Sequence, residues 1–439
     1  MARSALVAGS PRPKADDPWK HPKGWTGRTA DPSLSDGEGE GNAQLVCKDK
    51  YFTLISLMLF LTLISTLLSL AYLAVILFLF LGLRRLSSSS SPAASHKLKF
   101  SIVISAHNEE QNIEKCLKSI LSQTIDSSRY EVILVNDRSS DATSSLAGAI
   151  AERHANLSVI NVNQTPQGKS PKKHAVGFGI AATDNEIIVF TDADCVVPTT
   201  WLETIDRHFD DDTGLVQGIT AYEHVPGMNR LFFGLQAVDF LSHGVVAAAA
   251  IGAGLPLNSN ANNFAFRKKA FDDAQGYGMQ AAVVSGDDDL LLQRIWRNGT
   301  WRVRYMTDST GKVSTLPTPT VRGVFEQRKR WGSKTVYYNA RQVCLLSSVF
   351  LFYAMTAFAF CAGFFHPVSF ALCAGMLLVK MLGEMSLMVP GARLFGEQGL
   401  IKFIAPASLI QLPVVLVAVV LGVFGRFTWK EQRFGRLSP

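Results

Sequence analysis

The sequence predicts an α/β domain with a mostly parallel sheet, framed by one transmembrane helix before it and two or three after it. Two observations lead there. Across residues 98–342, β-branched runs of strand length alternate with stretches of helical spacing, as in a parallel sheet covered by helices. Apolar residues, 47% of the 439-residue chain, pile up outside that region, in residues 51–83 and after Arg341.

Residues 1–48 are rich in Pro, Gly, Asp and Lys and are expected to be disordered. Residues 49–85 hold the first membrane segment, with 33 uncharged residues from Tyr51 to Leu83, where a bilayer core needs about 20 helical residues. Arg84 and Arg85 follow, and the positive-inside rule places what comes next in the cytoplasm. Residues 86–97, with their serine run, read as a flexible linker.

In the domain, residues 100–105, 131–136, 158–162 and 186–191 read as strands. Residues 109–123, 142–155 and 172–182 read as helices, the first with Ile113, Leu117, Ile120 and Leu121 on one face. Residues 343–425 supply the later membrane segments, 343–366, 367–389 and 403–425. The second carries Lys380 and Glu384, read either as an i,i+4 pair steadying a bundle or as a contact to a lipid head group. A third full crossing would put the basic tail, 426–439, outside. Pro406 and Pro413 suggest instead a re-entrant or interfacial segment.

The net charge of +7 fits cytoplasmic positive charge on a membrane protein. No stripe of Lys/Arg interleaved with aromatics points to nucleic acid. The six cysteines form no CxxC pair, which argues against a disulfide framework or zinc site. The expected location is a cell (inner or plasma) membrane, multi-pass, with the catalytic domain cytoplasmic.

In parallel sheets ligands bind at the carboxyl ends of strands. Here His107-Asn108-Glu109, Asp137-Arg138-Ser139-Ser140-Asp141 and Asp192-Ala193-Asp194 follow the first, second and fourth strands. Three polar clusters on one sheet edge suggest a nucleotide and metal site. Two carboxylates on one turn suit a hard divalent cation that shares its shell with a diphosphate.

The ordered motifs SIVISAHNEE, VNDRSSDAT, GKSPKKHAVGFGI, FTDADC, SGDDDLL and QRKRW resemble a membrane-bound family 2 glycosyltransferase of GT-A fold, over residues 101–331. The resemblance implies an inverting enzyme that uses a nucleotide-sugar donor, with UDP-sugars favoured, and Mg2+ or Mn2+. It implies that Ala106, His107, Glu109 and Asp137 line the nucleotide pocket, with Lys172 on the diphosphate and Lys173 as its adjacent alternative. Asp192 and Asp194 match the metal pair, with Asp192 also on the donor. Asp288 matches the catalytic base, with Asp287 assisting. Gln327 and Arg330 fall on the donor side, and Trp331, Asn262 and Asn263 on the acceptor side. Three adjacent carboxylates, Asp287, Asp288 and Asp289, are expected to raise one pKa. The implied acceptor is a membrane lipid or a glycan. The lipid-glycosylating type resembles this chain's anchor arrangement best. The alternatives are a processive polysaccharide synthase and an inactive membrane scaffold.

Overall fold

The computed structural model describes residues 37–88, 98–166, 169–278, 283, 286–429 and 432–435; for 37–51 and 426–435 it describes the backbone alone. Contacts divide the chain into Met1–Phe60 and Leu61–Pro439. In the first unit the described backbone is helical from Gly37, within the tail expected to lack structure, and residues 1–36 lie outside the described residues. Most of the expected linker also lies outside them, since helix α1 (Gly37–Ser88) runs on to Ser88.

In the second unit the chain enters β1 (Phe100–Ala106), α2 (Ile113–Leu121), β2 (Tyr130–Asp137), α3 (Thr143–Ala151), β3 (Leu157–Val162), α4 (Pro171–Ala181) and β4 (Ile187–Phe190). It continues through α5 (Trp201–His208), β5 (Thr213–Gly218), β6 (Thr220–Tyr222), α6 (Arg230–Gly252), β7 (Phe264–Arg267), α7 (Lys268–Asp273), α8 (Asp289–Asn298), β8 (Arg302–Met306) and β9 (Val313–Thr315). Last come α9 (Val321–Ser333), α10 (Ala340–Gly363), α11 (Val368–Leu394), α12 (Ile401–Phe424) and the hairpin β10 (Arg426–Trp429)–β11 (Gln432–Gly435).

Seven strands form one sheet in the order β3-β2-β1-β4-β7-β5-β8. Strands β1, β2, β3 and β4 are parallel, as are β5 and β8, while β7 runs antiparallel between β4 and β5. The central strands are apolar on both faces because both are covered. Against one face pack α2 and α5, through Ile113, Leu117, Ile120, Trp201 and Ile205. Against the other pack α4, α7 and α8, through Val176, Ile180, Ala270, Leu291 and Ile295. Ile113, Leu117 and Ile120 are fully buried, and each such side chain contributes roughly 1.5–3 kcal/mol. This layering brings the carboxyl ends of β1, β2 and β4 to one edge.

Among the described residues, five helices are long and apolar enough to cross a membrane: Phe52–Ser88 of α1, then α6, α10, α11 and Gln398–Phe424, which includes α12. The second of these was read from the sequence as part of the soluble domain. It packs on the edge strand β8, on β6, which pairs with β9 in a separate two-stranded sheet, and against α11 and α12. The two ends of α12 also meet the catalytic domain. Glu397, just before it, pairs with Lys312 at 2.7 Å, and Gly422 near its end packs on the backbone of Lys329 in α9. The hairpin that follows lies against α9 as well. By contrast α10 and α11 pair with each other, and Tyr72 of α1 stacks on Phe352 of α10 at 4.3 Å between ring centroids.

Candidate active site

The loops after β1 and β2 are laced together. The Asn108 backbone N–H donates to Ser139 Oγ (3.0 Å), and its side-chain oxygen accepts from Ser140 N (2.9 Å). Glu109 N donates to Thr143 Oγ1 (2.7 Å), Glu110 N to Asp141 Oδ2 (3.0 Å), and Ala142 N to Glu110 Oε2 (3.0 Å). His107 Nδ1 lies 2.5 Å from the Asp137 carbonyl oxygen. Asn108 and Arg138 both take positive φ, +55° and +56°, a conformation asparagine tolerates and arginine rarely adopts. In this loop Arg138 folds its guanidinium back onto the buried Asp137 carboxylate at 2.7 Å.

At the end of β4, Cys195 N donates to Asp192 O (3.1 Å), so the DAD run forms a tight turn. Lys172 is positioned by helix α4, whose N-cap Ser170 precedes Pro171 at the first helical position. Its Nζ lies 2.8 Å from both Asp192 Oδ1 and Asp287 Oδ2. Burial would lower the lysine's pKa, but the two carboxylates outweigh it and hold the ammonium charged. Lys173 points elsewhere, over the ring of Tyr277.

The acidic run separates into three environments. Gly286, at φ +82°, makes the turn that presents it; Ser285, first in the motif, lies outside the described residues. Burial pushes Asp287 up, yet Lys172 prevails and its carboxyl is lowered to about 2. Asp288 caps α8, accepting from Asp289 N (2.7 Å) and Ala261 N (3.0 Å). Burial raises its pKa to about 6; Lys334 opposes the rise, and Asp289 and Asp287 reinforce it. Asp289 is fully buried and spent on structure: Ser259 N, Tyr338 Oη and Lys334 Nζ all donate to it, the last two at 2.8 and 2.5 Å.

Helix α9 carries the QRKRW run. Gln327 accepts from Arg328 Nη1 at 3.0 Å. Arg328 Nε donates to Asp239 of α6 at 2.6 Å, and its guanidinium sits 4.0 Å over the Trp331 ring. Trp331 meets His243 of α6 edge-on at 4.7 Å. Burial lowers the Arg330 pKa against the pull of Asp287, Asp192 and Asp288.

One cavity of about 760 Å3 joins these parts. It is lined by His107, Glu109, Asp137, Lys172, Asp192, Asp194, Asn262, Asp287, Asp288, Gln327, Arg330 and Trp331, all named from the sequence. Three of the residues so named do not line it, Lys173, Ala106 and Asn263. Ala106 is buried as the last residue of β1. Asn263 is a correction: it is fully buried, donates to Ile219 O (2.9 Å) and Gly311 O (2.8 Å), and accepts from Trp201 Nε1 (2.9 Å), so its amide is consumed inside the fold. The cavity also takes in Asp239, His243, Lys334 and Tyr338, which the sequence reading passed over, and ends on α10 and α12 at Leu345, Leu346, Gln411, Val414 and Val415.

A sheet whose loops gather a carboxylate pair, a lysine and a buried acidic cap in one cleft defines a nucleotide-dependent group-transfer enzyme of α/β type. A family model described as "Glycosyl transferase family group 2" matches residues 187–422, more than half of the chain, and "Glycosyl transferase family 2" matches residues 101–231, so the chain belongs to the family 2 glycosyltransferases. It is 34% identical over 103 residues to glycosyltransferase AglE of Haloferax volcanii, covering 24% of this chain and 33% of that one. It is 30% identical over 102 residues to beta-monoglucosyldiacylglycerol synthase of Trichormus variabilis, covering 23% and 21%. These matches span a third or less of the relatives' length. The fold is that of the mannosyltransferase PcManGT from Pyrobaculum calidifontis, solved with GDP-Man and Mn2+, at TM-score 0.50 and 17% identity over 80% of this chain and 99% of that one.

Proposed function

We propose that the enzyme transfers a sugar from a nucleotide-sugar donor, with UDP-sugars favoured, to a hydroxyl of a membrane lipid at the cytoplasmic face, with inversion. The observation that carries this reading is the single cavity, polar at the ends of β1, β2 and β4 and apolar where α10 and α12 close it.

Asp137, His107 and Glu109 hold the nucleotide in this reading, and Lys172 and Arg330 face its diphosphate. Asp192 and Asp194 fit a divalent cation, Mg2+ or Mn2+. They offer hard carboxylate oxygens, and among the described residues no set of three ligating side chains closes the site. A divalent ion held by these two carboxylates would leave positions for phosphate oxygens and water. When bound, it supplies Lewis-acid neutralisation of the departing nucleoside diphosphate. Asp288 accepts the proton of the acceptor hydroxyl as that oxygen bonds to the anomeric carbon and the carbon–phosphate-oxygen bond breaks. Asp287, held ionised by Lys172, keeps negative charge beside it. Arg84 and Arg85, at the end of α1, favour the cytoplasmic face.

The test compares wild type with Asp288→Asn, given Mn2+, labelled UDP- and GDP-sugars and total lipid extract. Asp288-dependent label in the organic phase is the expected result. Label confined to aqueous polymer would replace this reading with a polysaccharide synthase.

A further inference from the structure

The apolar end of the cavity holds one polar side chain whose orientation is fixed from behind. Lys380 of α11 is fully buried. Its ammonium donates to Glu384 Oε1 (2.5 Å), Ser408 Oγ (3.1 Å) and Gln411 Oε1 (3.2 Å). An ammonium only donates, so the Gln411 atom facing it is the carbonyl oxygen. The Tyr353 hydroxyl lies 3.2 Å from that oxygen too. The Gln411 amide nitrogen is thereby turned the other way, and Gln411 lines the cavity. Among the described residues this NH2 has no hydrogen-bond partner. Gln411 is half-buried, and its amide is the donor that this lining, with Val414, Val415 and the leucines of α10 around it, offers to a ligand.

Its place along α12 sets which part of a ligand it can meet. The Ala418 carbonyl lies against Gly332, next to Trp331, and seven residues of helix separate it from Gln411, about 10 Å at the helical rise. On the lipid-transfer reading above, the amide stands that far down the cavity from the Trp331 end, beside the body of the acceptor.

The charges on the acceptor side point to a neutral ligand. Arg328 is bound by Asp239, Lys334 by Asp289, and Lys380 by Glu384. A phosphate acceptor would compete for one of these cations with a carboxylate that is fully buried (Asp289) or partly so (Asp239, Glu384).

We propose that the acceptor is an uncharged hydroxy-lipid, and that the Gln411 amide donates a hydrogen bond to a second oxygen of its backbone, an ester, amide or ether oxygen, inside the helix-lined end of the cavity. This rests on the lipid-transfer reading above and narrows it.

The experiment uses the full chain in phosphatidylcholine nanodiscs, Mn2+, the donor that gives transfer, and diacylglycerol, ceramide or undecaprenyl phosphate at graded mole fractions. Label on diacylglycerol or ceramide, with undecaprenyl phosphate at least about tenfold slower, is expected. Gln411→Leu should raise KM for the neutral lipid about five- to tenfold with little change in kcat, the loss of one hydrogen bond. Gln411→Met serves if the leucine variant does not fold. Ser408→Ala disturbs the same buried cluster but keeps the amide, and should keep the wild-type KM. Preferred labelling of undecaprenyl phosphate, or an unchanged KM in both Gln411 variants, overturns the proposal while leaving lipid transfer standing. Label only in aqueous polymer overturns lipid transfer itself.

Discussion

Lys172 holds Asp192 and Asp287 with one ammonium, 2.8 Å from each. The lysine joins the turn after β4 to the acidic run before α8. A donor diphosphate arriving at Asp192 competes for the same ammonium. Asp192→Asn removes one of the two carboxylates proposed for the cation, and should reduce metal-dependent transfer at least about a hundredfold. Transfer measured against Mn2+ concentration checks it, and EDTA should abolish wild-type activity. Undiminished transfer by the variant would remove the metal assignment.

As the proposed base, Asp288 should set an acidic limit on the rate. A general base works only when unprotonated, and burial has raised this carboxyl to about 6. Acceptor kcat/KM should therefore fall about tenfold per pH unit below 6 and level off above it. Asp288→Asn should cost about a hundred- to ten-thousand-fold in kcat, with nucleotide binding by calorimetry preserved. A profile that stays flat down to pH 5 would assign the base elsewhere.

Lys334 opposes the rise of Asp288, so its charge keeps the base available near neutrality. With Lys334→Met the Asp288 pKa climbs further, and the acidic limb should move to higher pH. The same change leaves the buried Asp289 without its cation, at a cost of roughly 3–5 kcal/mol for a broken buried pair. The pH–rate profile separates the two effects, because lost stability alone would lower the rate without moving the limb.

Gly422 allows α12 to touch α9. A Cβ there would stand 2.7 Å from the Lys329 carbonyl oxygen. Gly422→Val should force the helices apart at about 1–3 kcal/mol and displace Arg330 and Trp331 on α9. A lowered thermal midpoint together with a raised acceptor KM is the expected result.

The sequence disclosed β1 to β4 and the residues at their ends, because β-branched runs closing on Asp137 and Asp192 carry a local signal, while β5, β7 and β8 went unread. Helix α6 was hidden for a physical reason. Gln236, Asp239, Phe240 and His243 recur at helical spacing, and the polar members of that stripe dilute its mean hydropathy to 1.4, against 2.5 for the segment containing α12. The interruption was itself the clue to a helix with an apolar back and a polar face. Lys334 had no such clue, since only the short turn after α9 brings it to Asp288. Asn263 misled because an asparagine-rich loop reads the same whether its amides face a ligand or cap backbone carbonyls.

The placement of α12 carries a further consequence. Both of its ends rest on the catalytic domain, through the Lys312–Glu397 pair and the Gly422 contact. A helix anchored at each end in this way moves with the catalytic domain rather than apart from it. If α12 meets the bilayer as proposed, it would act as a float rather than a stake and set the height of the cleft above the lipid, so a lipid's chain length would matter only through how high it lifts the hydroxyl.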